Sequence, residues 1–319
     1  MKQPKVGLAL GGGGLRGAAH IGVLKVLQAA GITIDAVVGT SAGSMVGALW
    51  AAGLSPAEIE HIFRNLPANL FPTAVGCINL VLYILQRLGI LKCYKLQSLS
   101  LPQGLLRTDF LSEFINQHTN ERSFNQLAIP AAFLACDLLS GKEVIFAPET
   151  ARPFLWQDRK KQFFFSDQSL GTAVAASSAI PGLFLPVRVN GRELVDGGLK
   201  ANIPVHLLTA WGAKVIIAVD LGFAVEDSSA DTIIQVLLQA SDIMGQTISD
   251  LRLEGSGALV IRPQVGSMNL YDFHRIPEAI DIGAQAAEKA LPDIRRALQQ
   301  LNHHPTPWFW PLTDSCAKK

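Results

Sequence analysis

Two strand-turn-helix units near the start of the chain, each with a glycine-lined turn, constrain the fold more than any other feature. An apolar run at residues 5–10 enters a run of four glycines, and a helical pattern of apolar residues follows it. A second apolar run at residues 34–38 enters the turn Gly-Thr-Ser-Ala-Gly at 39–43, again with a helical pattern behind it. Strands that are joined by helices run parallel in one sheet. The sequence therefore predicts that both turns lie side by side at one sheet edge, where open α/β sheets place their functional sites.

The composition fits one large α/β domain. Hydrophobic residues make up 49% of the 319 residues and charged residues 17%, as expected when helices cover both faces of a mainly parallel sheet. Because no linker rich in Pro, Ser or Gly divides the chain, we predict a single domain over residues 1–319. Its motifs lie in a core at about 5–220, and C-terminal helices and a tail follow at about 221–319.

Charge and cysteine usage exclude several classes of function. The net charge is +1 without a long basic run, which gives no electrostatic case for nucleic acid. The cysteines lack metal-type spacing and predict reduced thiols in a reducing cytoplasm, without a metal; they are Cys77, Cys93, Cys136 and Cys316. The most apolar stretch, residues 78–85, is far shorter than the roughly 20 residues of a membrane span. We therefore expect a cytoplasmic protein without a signal peptide or a transmembrane segment.

Three stretches suit peripheral contact with a membrane, at its inner face. The stretch at 78–85 lies within residues 67–104, which fit either a lid over the site or an ordinary buried helix. Residues 159–165 combine three basic side chains with three phenylalanines, in a surface loop that either touches lipid or packs its aromatics inward. The aromatic tail at 308–310 suits a membrane interface, although folding back onto the core is the more common arrangement.

The turn at 39–43 fits the pattern G-x-S-x-G, with a strand before it and a helix after it, the context in which this pattern marks a nucleophile. A tight turn holds the serine in a strained conformation, and Gly39 and Gly43 remove Cβ atoms that would clash there. The Oγ atom of Ser41 then projects into the cleft, and the positive end of the following helix favours negative charge beside it. Ser41 is therefore the predicted nucleophile, and a purely structural turn is the alternative.

The glycine loop at residues 12–17 (GGGLRG) suits either of two functions. Backbone N–H groups without side chains can approach an anion closely, as an oxyanion hole requires. The same residues fit the dinucleotide fingerprint G-x-G-x-x-G, which needs an acidic residue at the end of the second strand. Asp35 has about the right spacing but begins that strand, whose far end carries Ser41. These positions favour the oxyanion hole over a nucleotide-binding, Rossmann-type site.

Asp196 is the predicted general base. It ends a strand and precedes Gly197 and Gly198, so its carboxylate lies in a tight, backbone-rich turn and not on a solvated surface. Of the histidines, His206 and His274 remain possible members of a triad, although each is better explained as a surface or packed residue. A carboxylate with the ordinary pKa of about 3.9 is a weak base toward a hydroxyl, and burial raises that pKa. Because an ester alcohol leaves more easily than an amine, this pair points to esters.

In this order the motifs resemble those of bacterial patatin-like phospholipases, which are related to the catalytic domain of neuropathy target esterase. The resemblance covers about residues 5–220 and includes residues 176–182 (ASSAIPG), similar to the segment that the family places before its aspartate. It implies a three-layer α/β/α fold, calcium-independent activity and no cofactor. By this resemblance Ser41 is the nucleophile and Asp196 the general base. The implied oxyanion-hole loop contains Gly12, Gly13, Gly14, Arg16 and Gly17. Arg16 would brace that loop or, less favoured, contact a phosphate.

The sequence thus predicts a serine acyl hydrolase, either a phospholipase or lysophospholipase or a carboxylesterase, that cleaves lipid or fatty-acyl esters through an acyl-enzyme. An acyltransferase or thioesterase with the same serine is an alternative, as are a nucleotide-dependent oxidoreductase and a catalytically idle lipid-binding protein. The sequence favours no particular headgroup, acyl chain length, positional preference or oligomeric state.

Overall fold

The computed structural model describes residues 3–66, 103–104, 106–222, 233–266, 268 and 272–303. The stretch at 78–85 and the aromatic tail at 308–310 lie outside these ranges. So do Cys77, Cys93 and Cys316. The expectations of a lid at 67–104 and of one domain over the whole chain therefore stay predictions. Cys136 lies inside the described chain and is a buried, free thiol.

Nine strands of the described chain form one sheet in the order β5-β4-β3-β2-β1-β8-β9, with β7 paired to β3 and to β6. The pairs β1–β2, β1–β8, β2–β3, β4–β5 and β8–β9 are parallel. The pairs β3–β4, β3–β7 and β6–β7 are antiparallel. The strands are β1 Val6–Leu10, β2 Ala36–Thr40, β3 Ala131–Asp137, β4 Glu143–Phe146, β5 Gln162–Phe165, β6 Val187–Val189, β7 Arg192–Asp196, β8 Val215–Val219 and β9 Leu259–Ile261.

Helices connect these strands. In the described ranges the α-helices are α1 Ala19–Ala29, α2 Ala42–Ala51, α3 Pro56–Arg64, α4 Asp109–His118, α5 Arg152–Leu155, α6 Leu170–Ser177, α7 Gly198–Ala201, α8 Val205–Trp211, α9 Ile233–Leu253 and α10 Ile276–His303. Short 3-10 helices occupy Gly14–Ala18, Phe124–Gln126, Glu149–Ala151 and Phe273–Arg275. None of the helices in these ranges is long and apolar enough to cross a membrane.

The sheet separates two hydrophobic clusters, because successive side chains of a strand point to opposite faces. Val37 of β2 belongs to one cluster, which also holds Leu24 of α1 and Ile280 of α10. Its neighbour Val38 belongs to the other cluster, which holds Trp211 of α8. Helices therefore cover both faces of a mainly parallel sheet, which confirms the predicted three-layer α/β/α fold.

Two local expectations need correction. Residues 159–165 are not simply a surface loop, since Gln162–Phe165 forms β5 and pairs with β4. Phe164 is buried there, and the guanidinium group of Arg192 stacks on the ring of Phe163. A proline inside a helix is expected to kink or restart it, but α10 continues through Pro292. Packing of this long amphipathic helix against α1 outweighs the hydrogen bond that proline removes.

Candidate active site

The two glycine-lined turns leave the sheet at the same edge. β1 and β2 pair in parallel, and their last pair is Leu10 with Gly39. The 3-10 helix Gly14–Ala18 and α1 follow the first turn, and α2 follows the second. The prediction that both turns lie side by side is confirmed, and it brings the glycine loop next to Ser41.

The turn at Ser41 is strained in the manner expected for a nucleophile elbow. Ser41 has φ +52° and ψ −124°, a conformation that costs a residue with a side chain roughly 1–3 kcal/mol. Close packing demands the flanking glycines, since a Cβ on Gly43 would lie 2.1 Å from the Leu10 carbonyl oxygen. Ser41 directly precedes α2, so its side chain lies at the positive end of that helix.

Asp196 reaches Ser41 through the pairing of the strands. β2 pairs with β3 up to Thr40–Leu134, and β7 takes over at the next β3 residue with the pair Asp196–Ala135. Because β4 pairs along the other side of β3, β2 and β7 must meet end to end on one side of it. β7 runs antiparallel to β3, so the carboxyl ends of β2 and β7 face each other. The Ser41 hydroxyl lies within interaction range of the Asp196 carboxylate and lowers the pKa of that carboxylate.

The environment of Asp196 makes its carboxylate a stronger base than a free aspartate. The residue is only 6% exposed, and this burial raises its pKa to about 6. Hydrogen bonds from the Gly198 N–H group and from Ser41 act in the opposite direction and limit the rise in pKa. The bond from the Gly198 N–H group to Oδ1 is 2.7 Å long. Gly197 and Gly198 lead directly into α7, so the predicted tight turn after Asp196 is present.

Asn202, which the sequence analysis missed, fastens the glycine loop beside Ser41. The N–H group of Gly12 donates to Asn202 Oδ1 at 3.1 Å, and Asn202 Nδ2 donates to the Gly12 carbonyl at 3.4 Å. A Cβ on Gly12 would lie 2.4 Å from that Oδ1 and 3.1 Å from the Ser41 Cβ atom. The loop therefore lies directly against the serine. The one signal in the sequence was that Asn202 comes directly after α7, the short helix that begins two residues after Asp196.

The glycine loop keeps unused hydrogen-bond donors at this edge. The N–H groups of Gly13 and Gly14 have no acceptor within the described part of the chain. Gly14 begins the 3-10 helix, so its N–H group also has no partner inside that helix. Gly17 lies in the same helix, and a Cβ there would meet the Ala42 side chain at 2.5 Å. Free amide donors beside a serine are the arrangement that an oxyanion requires.

Arg16 braces the loop from its buried side. Its Nε donates to the Gly13 carbonyl at 3.2 Å and its Nη1 to the Gly222 carbonyl at 2.9 Å. The nearest carboxylate, that of Asp242 on α9, is 3.9 Å from Nη2. The guanidinium group is thus engaged with backbone carbonyls, as the bracing role requires.

His20 of α1 supports the same loop and has no place in a triad. It is fully buried, and its Nε2 lies 2.8 Å from the Gly11 carbonyl oxygen. Burial lowers the pKa of His20 to about 4. The ring is therefore neutral near pH 7 and donates from Nε2 to this carbonyl. Its Nδ1 atom has no hydrogen-bond partner.

The two histidines considered for a triad have other surroundings. His206 Nε2 lies 3.3 Å from Glu143 Oε2, and its Nδ1 lies 2.9 Å from Arg252 Nη1. Although burial alone would raise the pKa of Glu143, hydrogen bonding and charge from this cluster hold that pKa at about 2. His274 lies in the 3-10 helix Phe273–Arg275. Within the described chain, neither His206 nor His274 hydrogen-bonds to Ser41.

The acidic residue of the dinucleotide alternative lies at the wrong edge. Asp35 Oδ2 accepts hydrogen bonds from the N–H groups of Lys5 and Val6, each at 2.8 Å. Val6 begins β1, so this carboxylate lies at the edge opposite Ser41. Across the ranges that the structure describes, no group of three or more His, Cys, Asp or Glu side chains is placed to hold a metal.

The sequence matches one family model and several known proteins. The sequence model of the patatin-like phospholipase family matches residues 8–209. An NTE family protein of Mycobacterium bovis is 32% identical over 219 residues, which are 69% of this chain and 49% of that protein. Mouse patatin-like phospholipase domain-containing protein 6 is 27% identical over 219 residues, 68% of this chain and 13% of that protein. This chain thus spans about half the length of the mycobacterial relative and a smaller share of the mouse protein.

Solved structures of low sequence identity are also similar. Human GIVD cytosolic phospholipase A2, in complex with methyl gamma-linolenyl fluorophosphonate, is 13% identical with a TM-score of 0.48, over 95% of this chain and 60% of that one. VipD from Legionella pneumophila is 16% identical with a TM-score of 0.46, over 92% of this chain and 67% of that one. The family match extends over both glycine-lined turns and over Asp196-Gly197-Gly198. The chain belongs to the patatin-like phospholipase family.

Proposed function

We propose that the chain is a serine hydrolase of lipid acyl esters, with Ser41 as nucleophile and Asp196 as general base. The observation that carries this proposal is the strand register that brings the Ser41 and Asp196 side chains into interaction range at the meeting ends of β2 and β7. The family match supports a lipid substrate, and the proposed substrate is a phospholipid or a lysophospholipid.

Acylation uses the raised basicity of Asp196. Ser41 Oγ attacks the acyl carbonyl carbon while its proton passes to the Asp196 carboxylate. The carbonyl oxygen becomes an oxyanion, which accepts hydrogen bonds from the free N–H groups of Gly13 and Gly14. Collapse of this intermediate breaks the ester bond, and the leaving alcohol takes the proton from Asp196. The product is an acyl-enzyme on Ser41.

Deacylation repeats these steps with water. Asp196 removes a proton from the water molecule as it attacks the acyl carbonyl, and the second oxyanion uses the same donors. Its collapse releases the fatty acid and returns the proton to Ser41. An acyltransferase differs only in the acceptor, since an alcohol replaces water at this step. Product analysis with and without an added alcohol acceptor separates the two activities.

The experiment that tests this function combines covalent labelling with turnover. Wild type, Ser41→Ala and Asp196→Asn are treated with a fluorophosphonate probe and assayed on a p-nitrophenyl acyl ester. We expect wild type to label and turn over, Ser41→Ala to do neither, and Asp196→Asn to stay folded without turnover. Asp35→Asn is the matched control, because that carboxylate lies at the opposite sheet edge. Retained turnover in Asp196→Asn would contradict the assignment of Asp196 as the base. A wild type that neither labels nor turns over would contradict the whole proposal.

Peripheral membrane contact is part of the same proposal. Leu138 and Leu139, at the tip between β3 and β4, are 43% and 80% exposed. They follow β3 at the edge where Ser41 follows β2, so an apolar tip lies on the side from which a lipid would enter. The test is sedimentation with anionic and with zwitterionic liposomes, for wild type and for the double variant Leu138→Ser/Leu139→Ser. Wild type that stays in the supernatant with both liposomes would contradict this part.

A further inference from the structure

Ser177, the last residue of α6, contacts the backbone of the proposed nucleophile. It is fully buried. Its Oγ accepts a hydrogen bond from the Ser41 N–H group at 2.9 Å. The same Oγ donates to the Leu134 carbonyl of β3 at 2.6 Å. The hydroxyl thus links the strained turn after β2 to the neighbouring strand.

The backbone after α6 also holds the turn of Asp196. The Ser177 carbonyl accepts from the Gly197 N–H group at 3.4 Å, and the Ala179 carbonyl accepts from the Asp196 N–H group at 2.9 Å. Ser177 and Ala179 therefore contact the turns of both partners of the proposed reaction. The side chain of Ser177 hydrogen-bonds to the turn of Ser41, whereas main-chain atoms of this segment hydrogen-bond to the turn of Asp196.

This division has a chemical consequence. The conformation of Ser41, with φ +52°, persists only where surrounding contacts determine it. Removing the Ser177 hydroxyl leaves a buried N–H group on the nucleophile itself without its acceptor. The turn can then relax and move Ser41 Oγ away from the acyl carbonyl and from the glycine loop. The bonds that hold Asp196 use main-chain atoms and survive the change.

We propose that Ser177 is a positioning residue, whose hydroxyl fixes the turn of Ser41 in its reactive orientation through the Ser41 N–H group and the Leu134 carbonyl. The inference rests on the proposed hydrolase function. It assigns a role to Ser177 in the segment 176–182, for which the family resemblance implied no role.

Ser178 provides a matched control in the next position. It is also buried, but its Oγ has no hydrogen-bond partner. Ser178→Ala therefore removes the same atom from the same segment without breaking a bond. Any loss of activity that follows from disturbing the end of α6 in general appears in both variants.

The test compares Ser177→Ala with Ser178→Ala on a p-nitrophenyl acyl ester, with rates expressed per folded molecule. For Ser177→Ala we expect kcat to fall about 10- to 100-fold, KM to stay within about twofold, and the rate of fluorophosphonate labelling to fall with kcat. The midpoint of the pH profile should move only toward higher pH, since the main-chain contacts of Asp196 remain while the contact from Ser41 that lowers its pKa weakens. Ser178→Ala should match wild type in all of these measurements.

Ser177→Cys has the same number of side-chain heavy atoms, with a larger sulfur atom that makes weaker hydrogen bonds, so it serves if Ser177→Ala does not fold; we expect an intermediate kcat. Wild-type kcat in the folded fraction of either Ser177 variant would overturn the positioning role, as would an equal loss in Ser178→Ala. In these cases wild type still labels and turns over. An inactive wild type would instead overturn the proposed function together with this inference.

Discussion

Ser41 and Asp196 meet because their strands, β2 and β7, lie end to end along the same side of β3. The antiparallel direction of β7 points its carboxyl end at the carboxyl end of β2. Strand register therefore sets the separation of the two side chains, and no flexible loop has to close to bring them together. A site built on strand ends is held more rigidly than a site built on long loops.

The activity should follow the ionisation of Asp196. Since a general base must be unprotonated and burial raises the pKa of Asp196 to about 6, kcat/KM should rise as the pH increases through about 6 and then level off. Asp242 carries a negative charge that also raises this pKa, so Asp242→Asn should move the midpoint to lower pH. The pH dependence of p-nitrophenyl ester hydrolysis measures both. A flat profile between pH 5 and 8 would contradict the assignment.

Asp196→Asn should stabilise the protein while it abolishes turnover. The pKa of Asp196 is about 6 in the folded state and 3.8 as the reference value. Its contribution to stability is therefore fully present below pH 3.8 and is lost as the pH rises through 6. At pH 8 the variant should gain up to about 3 kcal/mol in the free energy of unfolding. Thermal melts should show a larger gain at pH 8 than at pH 5, and a less stable variant at pH 8 would refute the prediction.

His20 should make the free energy of unfolding depend on pH in the opposite direction to Asp196, with stability lost at acid pH. Burial lowers its pKa from 6.5 to about 4, so stability is lost as the pH falls from 6.5 through 4. The loss reaches about 3 kcal/mol when the unfolded state alone binds the proton. His20→Gln keeps a donor for the Gly11 carbonyl and should melt with less pH dependence in this range. Thermal melts of His20→Gln should be compared in proteins that also carry Asp196→Asn, because the opposing titration of Asp196 is then absent.

Arg16→Lys should destabilise the glycine loop and should lower activity by the same factor for different substrates. Lysine cannot donate to the Gly13 and Gly222 carbonyls together in the geometry of Arg16, and we expect a loss of about 2 kcal/mol in stability. The decrease in kcat/KM should be the same for a p-nitrophenyl ester and for a lysophospholipid. A decrease confined to the lysophospholipid would indicate a phosphate contact. Arg64→Lys, an exposed position on α3, is the control.

Asn202→Ala should impair the oxyanion loop without removing any reacting group. The variant loses both side-chain hydrogen bonds to Gly12, and the loop is then free to shift against Ser41. We expect kcat to fall about 10- to 100-fold, in the range of a misplaced oxyanion donor. Asn65→Ala, at the exposed end of α3, is the matched control. Kinetics on the p-nitrophenyl ester with unchanged kcat for Asn202→Ala would contradict the bracing role.

Local sequence patterns predicted the elements around the site well. Ser55 and Glu58 form the capping box of α3 that their spacing indicates. Asn190-Gly191, a pair typical of two-residue hairpin turns, joins β6 and β7 with both residues at positive φ. Such features depend on a few neighbouring residues, so the sequence alone suffices. β5 was not predicted, because its pairing with β4 depends on a distant partner.

What the sequence determined by itself was the family, the α/β class and the candidate roles of Ser41, the glycine loop and Asp196, since short glycine-bounded turns after apolar runs carry that information locally. Only the tertiary structure decided how Asp196 approaches Ser41, what raises its pKa, and that Asn202 and Ser177 hold the turns in place. These properties arise from strand register, burial and hydrogen bonds between residues far apart in the chain. No local pattern encodes them, because each depends on which surfaces the folded chain brings into contact.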